Sequence, residues 1–338
     1  MLELDGSYGE GGGQLIRFGV ALSTITHTPV KIFNIRAKRE KPGLKRQHVT
    51  AIDAVAKLTS AKVIGNFVDS QQLEFYPGEN FTFEENLKFE VGTAGSVFLV
   101  LQAVLLPIIH YGKTITITVF GGTDVPKAPT LDYFRYIFIP MMKKVGVTIE
   151  VLDYRRGYYP KGNGYIQCRV QRTECKVPFT LIDKGLLKSN AAYIYISRLP
   201  FHIAERIKNQ ILTRSENLKI NITDELEKSF GAGCGLTLVM EYENTVLGSS
   251  VVGEKGLPSE KLADLCFNEL DYELKSSATI DVHLADQILP HLWFADYKSR
   301  FFVSKLSEHF KTVIWLLEKF KHREYILKKN RANYEVSL

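Results

Sequence analysis

The sequence predicts an α/β fold, with sheets and helices segregated in the α+β manner. Three repeated α/β units in a pseudo-threefold arrangement are interrupted by a smaller inserted α/β domain. Three observations carry this prediction. First, a turn leads into an apolar helix, a strand, a polar loop, an amphipathic helix and a closing strand, and that order occurs from Gly11, from Gly92 and from His283. Second, each first helix holds a glutamine, at Gln14, Gln102 and Gln287. Third, residues from roughly 181 to 275 do not follow the pattern. Recurrence at this scale marks repeated supersecondary units, and short local connections fold each unit into a sheet backed by helices.

In the first unit the glycines before Gln14 make a turn, and Gln14–Ser23 is the apolar helix. "VKIFNI" follows as a strand and "RAKREKPG" as the polar loop. Leu44–Leu58 places Val49, Ile52 and Val55 on one face at helical spacing, and "AKVIG" closes as a strand. In the second unit "GTAGS" opens a helix through Gln102, and "TITITV" alternates as a half-buried strand does. "GGTDVPKAP" is the loop, Leu131–Val145 the helix, and "VTIEV" the closing strand. The third unit reads as helix "LADQILPHLW", strand "SRFFVS", loop "KLSE", helix "HFKTVIWLLEKF" and a short strand near Tyr325–Leu327.

These units span about residues 1–80, 81–180 and 276–338, so that 1–180 and 276–338 form one repeat domain. "RRGYYPKGNGYIQCRV" has the glycine–proline punctuation of a connection followed by a strand. The insertion, 181–275, reads as strand, helix "FHIAERIKNQIL", strand, turn "GAGCG", strand "LTLVMEY" and helix "SEKLADLCFNELDYEL".

Composition narrows the class. A chain of 338 residues can bury more than one simple core. With 45% apolar and 24% charged residues it is of the soluble globular kind. The net charge of +6 leans toward an anionic partner such as RNA or a nucleotide. Cys168, Cys175, Cys234 and Cys266 form no CxxC pair, which excludes a zinc knuckle and a thioredoxin-like motif. They read as reduced, partly buried thiols, and Cys234, with no basic neighbour in sequence, as structural. "MLELDGSYGE" lacks the basic start and apolar core of a secretory signal. "SVFLVLQAVLLPII" is too short to span a bilayer and carries Gln102 and Pro107, so it reads as a buried helix. The expected location is the cytoplasm, with no membrane partner.

"DGSYGEGGGQLIR" is the stretch richest in chemistry. Its glycines allow sharp turns and close backbone approach to a ligand. The helix that follows presents unpaired N–H groups to an anion. Neither GxxxxGK[ST] nor a dinucleotide-binding fingerprint is present, and a flexible turn before a helix would use the same residues.

Seven stretches together are more specific. "DGSYGEGGGQLIR", "NIRAKREKPGLKRQH", "GTAGS", "GGTDVPKAP", "RRGYYPKGNG", "HLADQ" and "SEHFKT" occur in the order seen in RNA 3′-terminal phosphate cyclases. The chain resembles that family over nearly its whole length. The resemblance implies three repeats like the C-terminal domain of a translation initiation factor, plus an inserted α/β domain. It implies ATP-dependent conversion of an RNA 3′-phosphate to a 2′,3′-cyclic phosphate through histidyl–AMP and RNA–phosphate–AMP intermediates, releasing pyrophosphate and AMP.

The same resemblance makes His309 the nucleophile. Neutral imidazole offers a lone pair near pH 7, which suits attack on phosphorus. Glu10 resembles the carboxylate that holds a divalent metal on the ATP phosphates, and Gln102 its neutral companion. Mg²⁺ or Mn²⁺ prefers such oxygen ligands. Gln102, Pro126, His283, Asp286, Gln287 and His309 resemble the ATP-binding positions. Arg17, Arg36, Arg39 and Gln47 resemble those that contact the RNA phosphate, where the guanidinium fork suits phosphate oxygens. Two departures stand out: His283 occupies the place of a tyrosine that stacks on adenine, and Val313 that of an asparagine. A binding-only relative in ribosome biogenesis and an enolpyruvyl-type transferase are the alternatives. Covalent labelling by ATP separates both from an enzyme of this kind.

Overall fold

The computed structural model describes residues 1–81, 84–172, 178–215, 217–224 and 229–338. Strand β1 (Leu2–Asp5), helix α1 (Gly13–Thr26), β2 (Val30–Phe33), α2 (Arg46–Thr59), β3 (Lys62–Ile64) and β4 (Leu73–Tyr76) come first. Their strands form a sheet of order β1-β2-β4-β3, with β1 parallel to β2 and the other pairs antiparallel.

The succession then recurs. β5 (Asn86–Glu90), α3 (Val97–His110), β6 (Ile115–Gly121), a helical stretch, β7 (Val147–Arg155) and β8 (Gly164–Arg172) give a sheet of order β5-β6-β8-β7. The helical stretch comprises α4 (Leu131–Tyr133), a π turn (Phe134–Phe138) and α5 (Ile139–Lys144), where the sequence predicts one continuous α-helix. Pro140 has no N–H to give, and the Ile139 N–H reaches five residues back to Phe134.

A third sheet draws on both sides of a long excursion. β9 (Phe179–Leu181) leads into β10 (Leu187–Ser197), α6 (His202–Arg214), β11 (Lys219–Asp224), β12 (Gly233–Tyr242), β13 (Val246–Val252) and α7 (Ser259–Lys275). The chain returns through α8 (Val282–Trp293), β14 (Ser299–Val303), α9 (Glu308–Phe320), β15 (Ile326–Lys329) and β16 (Tyr334–Ser337). β9, β14, β16 and β15 lie in that order, so the arrangement of first, second, fourth and third strand appears three times. The fourth sheet, β11-β10-β12-β13, belongs to the excursion.

Packing explains the compositions. α1 is buried along nearly its whole circumference because α2, α3 and α9 all press on it, which suits a helix that is apolar apart from Gln14, Arg17 and a few hydroxyls. One core runs through the first three sheets, including Leu4, Val104 and Trp293. A second core, with Ile194, Leu236 and Cys266, lies under the fourth. The apolar run around Gln102 is the buried helix α3, and no helix among the described residues is long and apolar enough to cross a membrane.

"GAGCG" is not purely a turn, since Gly233, Cys234 and Gly235 already belong to β12. Pairing on both sides, to β10 and β13, holds these small residues extended. Cys168, Cys234 and Cys266 are free and buried, and burial pushes their thiols up to about 12, 11 and 12. Cys175 lies outside the described residues.

Candidate active site

The glycine loop between β1 and α1 lies against α9, and three contacts hold it there. Tyr8 stacks on Trp315, with ring centroids 3.9 Å apart and planes 11° from parallel, a contact worth about 0.5–1.5 kcal/mol beyond burial. Gly9 has φ +58°, and a Cβ there would collide with the Thr312 hydroxyl. Lys38 Nζ donates to the Gly9 carbonyl at 3.2 Å. Glycine is required at position 9 for both the conformation and the contact. Among the described residues no side chain caps the start of α1, so its first N–H groups are available to an anion.

His309 stands in the first turn of α9, after the Ser307 hydroxyl that caps the helix by accepting from the Phe310 N–H. Its Nε2 is 3.3 Å from Glu10 Oε2, and Arg39 Nη2 is 3.3 Å from the same oxygen. The Nδ1 of His309 is 2.6 Å from Gln14 Oε1, and Gln14 Nε2 donates to Asp286 Oδ2 at 2.6 Å. Residues from the loop, α1, α8 and α9 thus meet at one place.

Burial sets the charges behind this mouth. Arg17, next along α1, is buried, and its Nε has no hydrogen-bond partner among the described residues. Desolvation pulls its pKa down to about 10, against the attraction of Asp286. A buried cation so poorly satisfied is costly unless an anion joins it. Asp286 moves the other way, to about 6, because burial outweighs the nearby His309, His283, Gln14 and Arg17. His48 is held neutral, with its pKa lowered to about 3 by burial and by Arg17, Arg36 and Lys45. Its Nδ1 accepts from the Lys45 N–H at 3.0 Å, and its ring fills the space that a side chain at Gly13 would need.

Other residues singled out in the sequence take varied places. Gln102 Nε2 donates to Gln287 Oε1 at 2.9 Å, and Gln287 Nε2 donates to the His283 carbonyl. Gln14 is tied to Asp286, the neighbour of Gln287, so the glutamines of the three first helices converge where α1, α3 and α8 come together. Gln47 Oε1 accepts from the Ser96 N–H at 3.1 Å, and its NH₂ group has no hydrogen-bond partner among the described residues. Arg36 Nη1 donates to the carbonyls of Lys41 and Gly43, both at 2.9 Å, and so braces its own loop. Pro126 and His283 are both exposed, and Val313 is buried in the core face of α9. Sequence patterns gave no role to Gln14 or His48, although both stand inside the quoted motifs. Their partners are remote in sequence.

Glu10 and the Gln102 amide offer the oxygen types that a hard cation prefers. No group of three or more His, Cys, Asp or Glu that could hold a metal occurs among the described residues. One half-exposed carboxylate and an amide suit a cation that arrives already bound to phosphate oxygens, not one caged by protein.

The profile of the family described as RNA 3′-terminal phosphate cyclase matches residues 8–327. The RNA 3′-terminal phosphate cyclase of Sulfurisphaera tokodaii is 40% identical over 327 residues, covering 95% of this chain and 94% of that protein. That of Nitrosospira multiformis is 42% identical over 327 residues, covering 95% and 91%. That of Thermococcus onnurineus is 39% identical over 323 residues, covering 95% and 93%. With a match this long, and with a histidine, a carboxylate and arginine converging on a glycine loop, the chain belongs to the RNA 3′-terminal phosphate cyclase family and is an enzyme of it.

Proposed function

We propose that this enzyme converts RNA 3′-phosphate ends into 2′,3′-cyclic phosphates with ATP as co-substrate, and that His309 carries AMP between them. The observation that carries the proposal is the meeting of His309, Glu10 and Arg39 at the mouth of the glycine loop. An imidazole nitrogen attacks the α-phosphorus and pyrophosphate leaves. AMP then passes to the RNA 3′-phosphate, and the vicinal 2′-hydroxyl displaces it by attacking the 3′-phosphorus.

Each residue has a task in this scheme. The uncapped N–H groups of α1 and the half-exposed Arg39 draw the phosphates in, while Arg17 supplies a buried charge beneath them. Gln47 contributes its free NH₂ group to the RNA phosphate, and Arg36 keeps the loop that carries Arg39 in shape. Pro126 and His283 offer surfaces for adenine. Asp286 and Gln287 follow His283 on α8, with one oxygen of Asp286 unused by Gln14. Glu10 and Gln102 would hold Mg²⁺ or Mn²⁺, which supplies charge neutralisation on the triphosphate. Incubation with ATP labelled at the α-phosphate tests the whole scheme: the protein becomes covalently labelled, and the label moves to RNA bearing a 3′-phosphate. An unlabelled protein would leave only a binding role.

Three substitutions divide the tasks further. Glu10→Ala should lose AMP attachment across a titration of Mg²⁺ and Mn²⁺ while still binding ATP analogues weakly; full activity in that series rejects Glu10 as a ligand. Arg39→Ala, and Arg36→Ala behind it, should impair cyclisation more than self-adenylylation. Equal loss in both steps would assign these arginines to the ATP phosphates instead.

A further inference from the structure

The two side chains behind His309 fix more than its position. Asp286 Oδ2 and Gln14 Nε2 are 2.6 Å apart, and Gln14 Oε1 and His309 Nδ1 are also 2.6 Å apart. An ionised carboxylate can only accept, so the Gln14 amide must turn its NH₂ group to Asp286. That turns its oxygen to the ring. An amide oxygen also can only accept, so the Nδ1 of His309 must be the nitrogen that carries hydrogen. The lone pair of the neutral ring is then on Nε2, the atom that faces Glu10 and the mouth of the site.

We infer that Gln14 is a positioning residue that selects the Nε2-nucleophilic tautomer of His309, with Asp286 setting the orientation of the Gln14 amide. The inference rests on His309 being the nucleophile. In the opposite tautomer the Nδ1 lone pair would face the amide oxygen, two acceptors in contact with no proton between them. In the step served, the Nε2 lone pair forms the bond to the α-phosphorus. The bond from that phosphorus to the bridging oxygen breaks, and its electron pair leaves with pyrophosphate. The Nδ1 proton stays where it is, so AMP transfer in either direction needs no proton movement at the ring. A neutral amide is apt for this, because it holds the proton without taking it.

The other polar groups around the ring do not duplicate the role. Glu10 Oε2, on the Nε2 side, favours the opposite tautomer, but at 3.3 Å, half-exposed and shared with Arg39 it is the weaker contact beside the 2.6 Å one to Gln14, and Arg17 and His283 act on Asp286 through space. No other hydrogen-bond partner of Nδ1 is found among the described residues.

The test combines a spectroscopic and a kinetic measurement. In protein labelled with ¹⁵N-histidine and held at alkaline pH, where imidazole is neutral, His309 should show the Nδ1–H tautomer. Gln14→Leu should shift it toward Nε2–H and slow single-turnover AMP attachment by about 10⁴-fold without weakening ATP binding, the scale of a misplaced tautomer. Gln14→Glu should restore most of the rate. There the new carboxylate and Asp286 share one proton across their contact and still leave an oxygen for Nδ1–H. A wild-type ring in the Nε2–H form overturns the inference, and that measurement stands even if a variant fails to fold. So does Gln14→Leu reacting at the wild-type rate, or Gln14→Glu failing as badly as Gln14→Leu. An AMP adduct that persists in His309→Ala would reject the nucleophile itself, a separate failure.

Discussion

His309→Asn is expected to abolish the covalent AMP adduct while leaving the protein folded and able to bind ATP. Asparagine can reproduce a hydrogen bond to Gln14, but an amide nitrogen has no lone pair to give to phosphorus. The wild-type adduct should survive alkali and be released by mild acid, as a phosphoramidate is. Mass spectrometry should place AMP on position 309 alone. His283 is the internal control: alanine there should weaken ATP binding by about 1 kcal/mol through lost ring contact, with the adduct still formed at saturating ATP. An adduct found on His283, or on a lysine of "KREK", would overturn the scheme at its first step.

Arg156→Met is expected to destabilise the fold by about 3–5 kcal/mol, the range for removing one partner of a buried ion pair. Arg156 is 3% exposed and Asp124 0%. Its Nη1 donates to Asp124 at 3.0 Å, and its Nη2 donates to both oxygens of Asp132 at 2.8 Å. The guanidinium also lies 4.2 Å from the ring centroid of Tyr195, in the fourth sheet. The group therefore joins the loop after β6, the start of α4 and the excursion. Without Arg156 two carboxylates remain in a dry interior.

Burial already holds the Asp132 carboxyl above its ordinary range even with Arg156 attracting it. A carboxyl whose folded pKa is raised contributes most below its unfolded value and loses that contribution as pH rises through the folded one. The Arg156→Met variant should therefore be less impaired in mild acid than in alkali. Urea unfolding at two pH values measures both statements, and a loss below about 1 kcal/mol at either would show that the pair is replaceable.

Local chemistry accounts for what was legible. Helical spacing in Leu44–Leu58, alternation in "TITITV" and punctuation in "GGTDVPKAP" each depend on neighbours in the chain, and elements appear at each place. The first strands β1, β5 and β9 are short or mixed in polarity, and β13 carries Gly248, Ser249 and Ser250 in its middle. Their apolar patterns are too brief to signal a strand. Pairing makes them strands: β1 with β2, β5 with β6, β9 with β14 and β13 with β12.

By itself the sequence determined the order of helix, strand, loop, helix and strand within each unit, the glycine loop that bends where Gly9 has a positive φ, and the residue types able to hold phosphate or attack it. It also displayed the glutamine of each first helix, without a reason for it. Only the tertiary structure decided that Gln14 would meet Asp286 across 272 residues and His309 across 295. Only it decided that Arg17 would be buried and poorly satisfied, and that Arg36 would brace a loop while Arg39 reached Glu10. The reason is physical. Periodicity and turn chemistry act over a few residues. Hydrogen-bond direction, burial and charge at the site are instead set by side chains that come together only when three helices from distant parts of the chain close on one another.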